Sequence, residues 1–144
     1  MSDLILHIII CDIFDGVMKR FARRLLTEFE DRYQLNFTWL HRYAEMFINL
    51  VNHEYDLYIF HVNNLIPSGL KAQKHERMEN MLRLFSYIKT FHPKPIIAYS
   101  PYLKDPALKE AARESGVDYV LTPPINTDKL VDAVTDALDR FGFS

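Results

Sequence analysis

Three stretches of this 144-residue chain are apolar at nearly every position: Leu4 to Cys11, Tyr55 to Val62 and Ile96 to Ser100. A half-solvated strand alternates apolar and polar residues, whereas a strand covered on both faces of a parallel sheet does not need to. The runs are rich in isoleucine and aromatic residues and too short for helices, so they read as buried strands. Parallel neighbours need long crossover connections, and the segments between the runs have helical periodicity. That combination restricts the chain to an α/β architecture with helices on both faces of the sheet.

The intervening segments follow this plan. Asp15-Gly16 opens a helix in which Val17, Met18, Phe21, Ala22, Leu25, Leu26 and Phe29 recur at helical spacing, with Lys19, Arg20, Arg23 and Arg24 opposite. Leu35 to Trp39 alternates with period two, as expected of a strand with one more solvated face; core packing is expected for Phe37 and Trp39. Tyr43, Phe47, Leu50 and Val51 mark a second helix, and Met78, Met81, Leu82, Phe85 and Ile88 a third that ends before His92-Pro93. Asp105-Pro106 supplies an N-cap with a first-turn proline, and Ser115-Gly116 a left-handed stop. Val117 to Leu121 is the fifth strand. Asn126 or Thr127 caps a last helix with Leu130, Val131, Val134, Leu138 and Phe141 as its stripe.

Composition narrows the function. The net charge of -2 gives no basis for binding nucleic acid or an anionic membrane. The lone Cys11 excludes an intramolecular disulfide and fits a reducing cytoplasm; it reads as a small buried apolar residue rather than a reactive thiol. The amino terminus lacks the pattern of a secretory signal, and the run Ile8 to Cys11 is far below the ~20 residues that span a bilayer. With only 4 glycines there is no dinucleotide fingerprint, and neither a Walker A loop nor a nucleophile elbow is present. No catalytic motif is found, so the chain is not expected to be an enzyme.

Two segments resemble those of receiver domains of two-component response regulators, the CheY-like family. Ile96 to Ser100 is similar to a receiver fourth strand ending in the small hydroxyl residue that contacts the phosphoryl group. Gly116-Val117-Asp118-Tyr119-Val120-Leu121-Thr122-Pro123 is similar to the fifth strand, with Tyr119 at the aromatic switch position. The resemblance covers essentially the whole chain. It implies a single domain over 1–144, doubly wound in three layers, with a five-stranded parallel sheet of order 2-1-3-4-5. It further implies a Ser100–Tyr119 switch, a cis peptide before Pro123, and protein partners such as a histidine kinase or an effector. A homodimer through the fourth helix, fifth strand and fifth helix is also implied.

Three family positions are altered. His61 stands at the phosphoacceptor aspartate, Thr122 at the lysine, and the magnesium-binding acid pair is reduced to Asp12 between Cys11 and Ile13. Aspartyl phosphorylation needs a carboxylate nucleophile, a hard cation and positive charge on the developing oxygens. The expectation is therefore a pseudo-receiver that signals by protein contact without a cofactor, Mg²⁺ entering only if the site were functional. Two alternatives stay open: a phosphorelay receiver using an altered acceptor, and a metal- or ligand-sensing rim of Cys11, Asp12 and His61. The interval from His61 to Ser100 is also longer than in the family. The excess falls within 65–79, as a charged loop, an extended third helix or a partner-specific insertion.

Overall fold

The computed structural model describes residues 4–12, 14–62, 71–122 and 126–142; side chains are not described for 43, 44, 46, 47, 51, 71–78, 80 and 102. Five strands, β1 (Ile5–Cys11), β2 (Gln34–Leu40), β3 (Leu57–His61), β4 (Ile96–Tyr99) and β5 (Tyr119–Leu121), alternate with five helices. The helices are α1 (Asp15–Phe29), α2 (Tyr43–Asn52), α3 (Lys71–Phe91), α4 (Pro106–Glu114) and α5 (Thr127–Arg140). The sheet is wholly parallel, in the order β2-β1-β3-β4-β5.

The two faces of the sheet carry separate cores. On one, Leu6, Ile8, Ile10, Ile59, Ile97 and Tyr99 pack against Phe21 and Leu25 of α1 and Leu130 and Val134 of α5. On the other, Ile9, Cys11, Tyr58, Phe60 and Ala98 pack against Leu50 of α2, Met81, Phe85 and Ile88 of α3, and Ala112 of α4. The chain crosses from one face to the other between α1 and α2 and again between α4 and α5, as a doubly wound sheet requires. Each fully buried Phe or Ile contributes about 1.5–3 kcal/mol of apolar transfer free energy, which is why the strand interiors hold almost nothing else.

Local chemistry sets the helix ends. Asp105 Oδ1 accepts from the Ala107 amide at 2.9 Å, with Pro106 as the first helical residue of α4. Asn126 Oδ1 accepts from Lys129 N at 3.0 Å and caps α5. After α4 the chain turns through Gly116 at φ +117°, where an added Cβ would lie 2.3 Å from Lys89 Cγ. α3 begins at Lys71 and runs 21 residues, so 71–79 is helical; 65–70 lies outside the described residues. β5 is shorter than expected, starting at Tyr119, with Val117 buried ahead of it.

Candidate functional site

In a doubly wound sheet, loops part at the carboxyl ends of the central strands, where order reverses. Here that point lies between β1 and β3. Asp12 directly follows β1 and is fully buried, its amide anchored to the Leu40 carbonyl at 3.0 Å. His61 closes β3, half-buried, in register with Tyr99 of β4.

Strand parity then decides what meets what. Leu57 and Ile59 of β3 face the α1/α5 core, so His61, two residues on, faces it too. Tyr99 shares that face with Ile97. The His61 and Tyr99 rings meet edge-on with centroids 4.8 Å apart, and Phe21 of α1 holds the Tyr99 ring from another side at 5.2 Å. The Tyr99 hydroxyl donates to Asp12 Oδ2 at 2.5 Å. The other carboxylate oxygen, Oδ1, accepts from the Phe14 amide at 3.0 Å, which positions the start of α1. Cys11 belongs to the opposite core, beneath α2 and α3.

Burial dominates the electrostatics. It pushes the Tyr99 phenol far above its ordinary range, and the Asp12 carboxylate that accepts its proton adds to the effect. Burial lowers His61 below the usual imidazole value, against the opposing pull of Asp12; the ring is neutral at pH 7. Desolvation, with Glu45 and Asp12 nearby, raises the Cys11 thiol well above its ordinary value, so no thiolate is on offer.

This donor set does not fit a magnesium ion. Mg²⁺ takes near-octahedral oxygen ligands, commonly one or two carboxylates with waters. Both oxygens of Asp12 already accept protein hydrogen bonds, and His61 offers nitrogen. Thr122, half-buried just after β5, carries no charge. Among the described residues no group of three or more His, Cys, Asp or Glu is placed to hold a metal ion. The Cys11–Asp12–His61 rim is therefore split: Asp12 and His61 share a face, and Cys11 does not.

Ser100 is fully buried directly after β4, its carbonyl accepting from Leu103 N at 3.1 Å. Tyr119 pairs in register with Ile97, three residues before Ser100. Its hydroxyl donates to Asp136 Oδ2 at 2.5 Å and accepts from Arg140 Nη1 at 3.4 Å, both on α5. Tyr119 is thus held toward α5. Pro123 lies outside the described residues, as does the peptide bond before it. Beside Tyr119 an open groove of about 410 Å³ runs between α4 and α5, lined by Arg113, Asp118, Lys129, Asp132 and Asp136 among others. Asp128 binds Arg24 Nη1 of α1 at 2.9 Å.

Sequence patterning treats Tyr99 as one more apolar strand position and so misses it. A signal exists: a tyrosine buried in a strand requires a partner for its hydroxyl, and Asp12 is the carboxylate one strand-end away.

No protein-family model matches this sequence. No curated protein sequence matches it either. Solved structures do. A signal receiver domain of an HD-domain-containing protein from Pseudomonas fluorescens Pf-5 superposes with a TM-score of 0.66 at 20% identity, over 94% of this chain and 95% of that one. A signal receiver domain of a two-component histidine kinase from Clostridium thermocellum gives 0.71 at 14% identity, over 92% and 97%. A response regulator from Burkholderia pseudomallei, solved with a phosphorylated aspartic acid and a calcium ion, gives 0.67 at 17% identity, over 94% and 71%. The chain has the receiver fold. Asp12, His61 and Thr122 all stand at the carboxyl ends of their strands, and Tyr99 engages Asp12 there.

Proposed function

We propose that this domain is a signal-transduction module that works through protein–protein contacts and is not phosphorylated on an aspartate. The observation that carries the reading is the Tyr99–Asp12 hydrogen bond beside His61. A receiver that takes phosphate needs its acids free for a cation and a carboxylate at the end of β3. Here the acid is engaged by a phenol and the strand ends in a neutral imidazole.

A module without its own chemistry transmits by presenting surfaces. The groove between α4 and α5, lined by Tyr119 together with Arg113, Lys129, Asp132 and Asp136, offers a charged contact face of mixed sign. A histidine kinase or an effector protein are the partner classes, and a homodimer through the same face is a further assembly of this kind. Among the described residues no helix is long and apolar enough to cross a membrane, and the proposed setting is the cytoplasm.

The test is intact-mass spectrometry after incubation with acetyl phosphate and Mg²⁺, with NMR of the beryllofluoride-treated protein alongside. The expected result is unchanged mass and no Mg²⁺-dependent shift at Asp12. A phosphoryl adduct overturns the reading. The unprotonated imidazole of His61 favours one second reading, in which histidine is the acceptor. Its adduct would be a phosphoramidate, labile to acid but stable in the alkali that hydrolyses an acyl phosphate.

A further inference from the structure

β2 lies at the end of the sheet, and among the described residues nothing pairs with its outer side. Backbone groups of successive strand residues point alternately to the two sides. Gln34 N donates to Leu4 O at 2.8 Å, and Leu40 O accepts from Asp12 N at 3.0 Å. The even-numbered residues of β2 therefore turn their amides and carbonyls to β1. Leu35, Phe37 and Trp39 turn theirs outward, leaving a row of polar groups on an open edge.

The same three residues share a side-chain face with the α1/α5 core, where Leu35 and Phe37 pack as partly buried members. Phe37 and Trp39 stack at 5.5 Å, with rings inclined by 22°. Trp39, expected in the core, is 36% exposed, because an edge strand has no neighbour beyond it to complete the cover.

α1 overhangs this edge with a defined flank. Asp15 Oδ1 meets His41 Nε2, just past β2, at 2.5 Å. Arg24 binds Asp128 of α5 on the opposite flank. Helical spacing then lines up Lys19, Arg23 and Leu26 behind Asp15 on the β2 side. Two strand residues back from His41 cover about 7 Å and four cover about 13 Å, at ~3.3 Å each. Helix residues rise about 1.5 Å each, so Lys19 stands level with Trp39 and Arg23 with Phe37. Both cations are exposed, and Leu26 is 37% exposed.

We propose that this edge is a docking site for an extended segment of a partner protein, added to β2 as a sixth strand, with acidic side chains on the α1 face. Backbone pairing to Leu35, Phe37 and Trp39 supplies affinity, and charge supplies selectivity. A carboxylate on a long stem would lie along the stacked rings and reach Lys19 or Arg23. Charge also argues against a second copy of this chain as the occupant. An antiparallel self-pairing centred on Phe37 would set Arg23 against its own symmetry copy and Asp15 against Glu30, like against like.

Trp39 is the sole tryptophan, so its emission reports on the site directly. The probe is a blocked octapeptide alternating valine and glutamate, compared with one alternating valine and lysine. Trp39 fluorescence is followed together with amide shifts and hydrogen exchange of the full chain. The glutamate peptide is expected to shift Trp39 emission, protect the amides of Leu35, Phe37 and Trp39, and bind at least tenfold more tightly than the lysine peptide. The surface double variant Lys19→Glu/Arg23→Glu should reverse that preference. Leu35→Pro removes an outward amide and none from the β1 ladder, and should weaken binding severalfold while the fold is retained. Binding of neither peptide, equal binding of both, or shifts confined to the α4–α5 groove overturns the proposal. So does a concentration-dependent dimer in which those three amides are protected without peptide, which would assign the edge to a second copy.

Discussion

The Tyr99 hydroxyl and the Asp12 carboxylate, 87 residues apart in sequence, meet at 2.5 Å in the buried rim of the sheet. The contact joins β4 to the β1–α1 turn, since the other oxygen of Asp12 holds the Phe14 amide. Removing the phenol leaves a buried carboxylate one donor short. Tyr99→Phe keeps the edge-on contact with Phe21 but should cost about 2–3 kcal/mol, the penalty for an unsatisfied buried acceptor. Asp12→Asn keeps an oxygen for the Phe14 amide, sets an NH2 donor against the Tyr99 hydroxyl, which can turn to accept, and removes the buried charge, so it should cost less. Urea denaturation of the two variants reads the difference; a Tyr99→Phe protein as stable as the parent would show that the bond contributes nothing.

His61 ties stability to pH. Its folded pKa is lowered by burial, while in the unfolded chain it titrates near about 6.5. The unfolded state therefore binds the proton more readily. The stability it contributes is full above about pH 6.5 and is lost as the pH falls through the folded value. Thermal unfolding followed from pH 8 to pH 5 should show Tm falling across that window, and His61→Gln should flatten this part of the profile. An unchanged profile in the variant would place the effect on other groups.

Strand placement was legible because both-face burial leaves such a plain mark on Leu4–Cys11, Tyr55–Val62 and Ile96–Ser100. The Asn126 cap and the Gly116 stop were legible because each depends on one residue's own chemistry. Trp39 was not, since alternation tells which face a side chain takes and not whether the strand has a neighbour. The Arg24–Asp128 pair was not, because a helix stripe does not reveal on which flank a charged residue will find its partner. That His61, Asp12 and Ser100 stand at strand ends was legible, but what Asp12 and His61 touch was set by Tyr99. That contact arises from three strands in register, which no local pattern encodes.

A second polar cluster closes the opposite end of the sheet. Lys89 Nζ of α3 lies 2.6 Å from Asp118 Oδ2, and both side chains are largely buried. Lys89 also donates to the Lys94 carbonyl at 2.9 Å, and Asp118 accepts from the Ile96 amide at 2.9 Å. Cutting either partner strands the other, so Lys89→Met and Asp118→Ala should each cost about 2–3 kcal/mol. Gly116→Ala should cost a similar amount, through a Cβ driven against Lys89 and a backbone held at φ +117°. Chemical denaturation of the three single variants and of the Lys89→Met/Asp118→Ala pair tests this. The double variant should lose less than the sum of its parts.

Tyr119 offers a readable probe of the α5 contact. Burial and the Asp136 carboxylate push its phenol up to about 12, while Arg140 pulls the other way. Because the folded value exceeds the unfolded one near about 10, the contact contributes fully below about pH 10 and fades as the pH rises through the folded value. Asp136→Ala removes the acceptor and leaves Arg140 beside the ring, 5.7 Å from its centroid. Its phenol should then titrate closer to about 10, as followed by absorbance at alkaline pH with Tyr119→Phe as the blank. Arg140→Ala should move it the other way. The opposite signs matter more than the sizes, since the site is partly solvated and screening weakens both effects. If Asp136→Ala leaves the titration where it was, the hydroxyl is not held on α5 in solution.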